Sequence, residues 1–125
     1  MTSSQYTVIT LEHPDTGERL NIGVVAWSVT RTSDGVSELT EPHAMFWYFR
    51  RDWNRLAPLM THQATEAWKT HCQDMELTWS LPRLLKAIKE DAPGPYTWMR
   101  FRQPHASVGA PSIVMGIAAS SFLKQ

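Results

Sequence analysis

Tyr96, Trp98, Arg100 and Arg102 alternate through "PYTWMRFRQ". On a strand they share one face, while Thr97, Met99 and Phe101 take the other. Rings beside guanidinium groups can stack on bases and hold phosphates, or form an exposed aromatic and arginine surface that binds a protein partner. They also resemble an ordinary solvent face, with arginine stems lying over aromatic rings. Arg50 and Arg51, after a second aromatic run, would enlarge the patch if they lay near it. The next candidates sit in "GERLNIGVVAW" (17–27), where Asn21 and Gly23 interrupt an apolar strand. Glycine inside a strand marks a bulge or the close approach of another group. A large ring such as Trp47 would fit over Gly23, with Asn21 tying down a loop carbonyl. Alternatively, the same notch would receive a partner group, with Glu18 and Asn21 as polar contacts. Trp27, on the less apolar face of this strand, is the preferred interface anchor, and Trp98, flanked by arginine, the next.

Other reactive side chains do not converge. Of five histidines, His62 shares a helix face with Glu66, and His71 adjoins Cys72. Neither arrangement matches His-Glu-x-x-His or a paired-cysteine motif, so no metal site is expected. Helix neighbours point about 100° apart, which arranges His71 and Cys72 poorly for proton transfer. Cys72 also falls in an apolar stripe and reads as a buried structural thiol. There is no glycine-rich phosphate loop, no cofactor is implied, and Glu90-Asp91 reads as a solvated helix end. No catalytic residue is assigned, and the chain is expected not to be an enzyme.

The elements that would position these residues follow from pattern. Residues 5–13 and 19–29 read as two strands joined by the turn "HPDTGE", an N-terminal hairpin. Leu20, Ile22, Val24 and Ala26 form the expected core face of the second strand. The aromatic run at 43–50 is a third strand, buried on both faces or nearly so. Asp52 reads as the cap of a short helix broken by Pro58. Thr61 caps a helix over 62–75 with the stripe Ala64, Trp68, Cys72 and Met75. Ser80 precedes another, with Leu81, Leu84, Leu85 and Ile88 at helical spacing and Pro82 in its first turn. Residues 96–103 make a fourth strand, "PHASVGAP" a loop, and 112–125 a weak helix or a strand plus helix. The expected fold is α+β, a mainly antiparallel sheet of about four strands with helices packed on one face, in a single domain over 1–125.

Bulk properties narrow the partner. Formal net charge is zero over 125 residues, without the basic excess typical of phosphate-backbone binders. Residues 1–41 hold six acidic and two basic residues, and 42–125 six and ten, an asymmetry that two parts of one fold can satisfy mutually. A single cysteine forbids an internal disulfide and fits a reducing compartment. Neither a signal peptide nor a membrane-spanning run is read from the sequence, so a cytoplasmic location is expected. Six tryptophans exceed what a core this size needs and leave some for contact.

The hairpin motif running from Tyr6 through Gly17-Glu18 to Asn21-Ile22-Gly23-Val24-Val25 resembles the opening of a small bacterial domain family of unknown function. Its genes often lie beside those of HipA-like kinases. The resemblance covers residues 6–25, with a faint continuation in "TWMRFRQPHASV"; the acidic, leucine-rich tail helix of the family has no counterpart in "GIAASSFLKQ". It implies an α+β architecture and a kinase partner in a bacterial stress or defence locus. Residues and resemblance together lead to a non-enzymatic protein-interaction module, able also to self-associate as a homodimer. One alternative is an anti-defence protein of a phage or other mobile element that blocks a host complex by surface binding. Another is a single-stranded nucleic-acid binding domain.

Overall fold

The structure is a computed structural model and describes residues 3–12, 17–32, 35–37, 45–53, 60–90 and 99–123. Its centre is a long antiparallel hairpin, β1 (Ser3–Glu12) against β2 (Arg19–Thr32). Gly17, with φ 73°, supplies the left-handed conformation at the end of the turn. Each outer edge of this hairpin carries two short strands end to end. On the β2 side lie β3 (Gly35–Ser37) and β4 (Phe46–Phe49). On the β1 side lie β5 (Met99–Phe101) and β6 (His105–Val108). Among the described residues the sheet is therefore about four strands wide, as expected, although six segments build it. The break between β5 and β6 falls at Pro104, which has no N–H to give the ladder. "HASV", expected as loop, resumes the pairing against residues 3–6.

Among the described residues, three helices cover the sheet. Helix α1 (His62–Thr78) starts where expected, with the Thr61 hydroxyl accepting from Ala64 N at 3.1 Å. Thr65, Trp68, Cys72 and Met75 are its buried stripe; Thr65, not Ala64, opens it. Helix α2 (Leu81–Glu90) is capped by Ser80, whose hydroxyl accepts from Arg83 N at 3.3 Å. Both helices pack on one face, where Ile9, Leu11, Ile22, Val25, Trp27, Met99 and Phe101 meet Trp68, Cys72, Met75 and Leu84. Helix α3 (Pro111–Phe122) departs from the one-face expectation. Its Ala118, Met115 and Phe122 pack on Val8 and Val24, on the opposite face. Strand β1 thus alternates between two cores, with Val8 under α3 and Ile9 under α1 and α2.

A bulge explains how β2 serves both. Ile9 pairs with Gly23, but Thr10 pairs with Asn21, leaving Ile22 as the extra residue. An added residue shifts the alternation by one. Ile22, Val25 and Trp27 consequently share the α1/α2 core, whereas Asn21 and Val24 face α3. The expected face of Leu20, Ile22, Val24 and Ala26 is corrected on this ground. The short helix expected after Asp52 falls mostly outside the described residues.

Candidate interaction site

Helix α3 covers only part of its face of the sheet, and the polar residues collect where it ends. Asn21 turns toward that end because the bulge places it there. Its Nδ2 donates to the Phe122 carbonyl at 3.1 Å, and its Oδ1 accepts from the Thr10 hydroxyl at 3.2 Å. The Thr10 oxygen in turn accepts from Arg102 Nε at 3.4 Å. Arg50, only 5% exposed, donates Nε to the Asn21 carbonyl at 2.9 Å and a terminal nitrogen to the Leu123 carbonyl at 3.5 Å. The last carbonyls of a helix have no partner within it and carry partial negative charge. A side-chain amide and a guanidinium answer both needs here.

Gly23 has a second role in the same motif. A Cβ there would lie 2.6 Å from Phe49 Cδ1, 2.8 Å from Cε1 and 3.0 Å from the Tyr48 carbonyl. A ring does pack over this glycine, as expected, but it belongs to Phe49, not Trp47. Asn21 does tie down a carbonyl, that of a helix end.

Beyond α3 the sheet floor is left open by the described residues, forming a hollow of about 220 Å³ lined by Thr10, Glu12, Arg19, Arg100 and Arg102. Glu12 and Arg19, paired across the hairpin, make an ion pair at 3.2 Å. Both are solvent-exposed enough that the pair adds at most about 1 kcal/mol. The guanidinium of Arg100, directly opposite Thr10, meets no acceptor among the described residues, and that of Arg102 meets only the Thr10 hydroxyl. Three guanidinium groups against one carboxylate make the hollow electropositive. Guanidinium stays charged and donates in a planar fork, so these three groups can hold oxyanions.

The structure brings together Asn21, Arg100 and Arg102 of the residues singled out in sequence. Met99 and Phe101 are buried on the other face, as the alternation required. Glu18 is exposed at the foot of β2 and already has an interaction of its own. Trp27 is corrected: it is 0% exposed, on the α1/α2 side, because the bulge turns it into the main core. It cannot anchor a partner in this fold. Trp98, with Tyr96, lies outside the described residues. Arg50 is a buried brace and not an extension of the patch, while Arg51 is exposed. Thr10 and Glu12 went unnoticed in sequence. Their signal was cross-strand position: a small hydroxyl and a carboxylate facing Asn21 and Arg19.

Elsewhere, two titratable side chains of α1 are shifted by their surroundings. Burial, reinforced by Glu76, pushes the Cys72 thiol up to about 12. Desolvation holds the His71 imidazole below its usual value, with Asp74 opposing and Arg83 assisting. Among the described residues no cluster of His, Cys, Asp or Glu could hold a metal ion. Nor is any described helix long and apolar enough to cross a membrane. In comparisons with protein-family models, curated proteins and solved structures, the chain matches none.

Proposed function

We propose that the protein is a non-enzymatic interaction module that docks an acidic surface of a partner protein onto the Arg100–Arg102 floor. The observation that carries this reading is the pair of guanidinium groups, held on a sheet braced by two cores and, among the described residues, not paired with a carboxylate. Arginines presented this way need little ordering on binding, and each charge-assisted hydrogen bond they form is worth about 1.5–3 kcal/mol. By the hairpin's resemblance, a HipA-like kinase is the first partner to try, in the reducing cytoplasm that one buried thiol suits. A mobile-element inhibitor of a defence complex would use the same surface.

Titration of a HipA-like kinase against wild type and the Arg100→Ala/Arg102→Ala double variant tests the proposal. The variant is expected to bind at least about 100-fold more weakly, with unchanged circular dichroism. Equal binding by the two proteins overturns the role of the floor. Turnover of a nucleotide or peptide by the purified protein, lost on changing one polar residue, overturns the non-enzymatic reading. Tight binding of an oligo-dT probe, weakening steeply with salt, would replace it with single-strand recognition.

A further inference from the structure

A second site lies on the other side of the sheet edge, away from the arginine floor. A cleft of about 550 Å³ runs between β4 and α1. One wall is Trp47, Tyr48, Phe49, Arg50 and Arg51, five residues in succession. Side chains of a strand alternate between faces, so only a space alongside the strand touches all five. The other wall is the outer flank of α1, with Glu66, Lys69, Gln73 and Glu76 at helical spacing.

The phase of the β2–β4 ladder determines what the edge offers. Arg50 N donates to the Ile22 carbonyl at 2.8 Å, continuing the register that pairs Tyr48 with Val24 and Phe46 with Ala26. In an antiparallel pair the bonded residues alternate. Phe46, Tyr48 and Arg50 therefore turn their N–H and C=O groups toward β2, and Trp47 and Phe49 turn theirs outward into the cleft. Among the described residues β4 pairs with β2 alone. The two walls match in length, about 13 Å from Trp47 to Arg51 at strand rise and about 15 Å from Glu66 to Glu76 at helix rise.

We infer that this cleft binds an extended peptide segment of a partner as an added strand on β4, about four residues long, lying between the edge and α1. Charge sets its polarity. The ring of Trp47 meets Trp79 at 6.4 Å, so the C-terminal end of α1 and Glu76 lie toward the start of β4. Arg51 stands at the other end, exposed and without an acceptor among the described residues, while Lys69 there is engaged by Glu66 at 3.3 Å. The segment carries an acidic side chain at the Arg51 end and a basic one at the Glu76 end.

Panning a displayed heptapeptide library on the whole protein, with counter-selection on Gln73→Trp, supplies the probe. Gln73 is exposed, so the indole fills the cleft without entering the core. Enriched peptides are expected to hold an acid and a base about three residues apart and to bind the plugged variant at least about tenfold more weakly. They should bind Arg100→Ala/Arg102→Ala as they bind wild type, which separates this site from the arginine floor. N-methylation along the best peptide, measured on unaltered protein, should abolish binding at alternate residues only. No enrichment over the plugged variant, or indifference to which residue is methylated, overturns the inference.

Discussion

Gly23 is where one atom decides most. The Phe49 ring and the Tyr48 carbonyl already occupy the space a methyl group would need, and the carbonyl belongs to a paired strand that cannot swing away. Overpacking of this kind costs about 1–3 kcal/mol. Gly23→Ala is therefore expected to lower the unfolding free energy by that amount, read as a lower urea midpoint at unchanged slope, and Phe49→Leu in the same chain should recover part of the loss. A neutral Gly23→Ala would mean that the ring does not rest on the glycine. The neighbouring residue shows how differently two adjacent interruptions of a strand can act. Gly23 is needed for the atoms it lacks, Asn21 for the hydrogen bonds it makes.

Those bonds belong to the scale of elements, because they fasten a helix that has little else to recommend its end. Helix α3 has no side-chain cap at Ala110 and no basic residue in its last turn. Its C-terminal carbonyls are met from outside, by Asn21 and Arg50. Asn21→Ala removes one of these and also leaves the Thr10 hydroxyl without its acceptor, a loss of about 1–3 kcal/mol. Amide exchange should report it locally, with α3 losing about tenfold of its protection while α1 keeps its own. Unchanged protection in α3 would show that the amide does not hold the helix. This tie also marks what was legible beforehand. The hairpin, the caps at Thr61 and Ser80, and the stripes of α1 and α2 are local patterns and stand in the chain as written. The bulge is not, because nothing in "LNIGVV" says which residue is extra until Thr10 and Ile9 choose partners across the hairpin. Missing it reversed the faces of β2, and Trp27 went with them from core to supposed surface. Arg100 and Arg102 were readable as one face of a strand. Their open floor was not, because it depends on where a helix from the far end of the chain stops.

At the scale of the whole molecule, one hairpin serves two cores, so neither core can come apart while the other keeps β1 and β2 paired. Unfolding should be a single transition, and Cys72, deep in the larger core, should feel it. The thiol gives this a measurable sign. In the folded protein burial raises it from about 9 to about 12, whereas in the unfolded chain it ionises near 9. A raised value favours the protonated folded form, so the associated stability is fully present below pH 9. It is lost as pH rises from 9 toward 12, at up to about 1.4 kcal/mol per pH unit. Lysines and tyrosines titrate in the same range, so the informative quantity is the difference from Cys72→Ala. That variant is expected to start less stable, from the cavity it creates, and to lose less with each step above pH 9. The two urea-midpoint curves should therefore converge between pH 9 and 11. Parallel curves would mean that the thiol reaches water before the sheet opens, and that the larger core breathes independently of the hairpin beneath it.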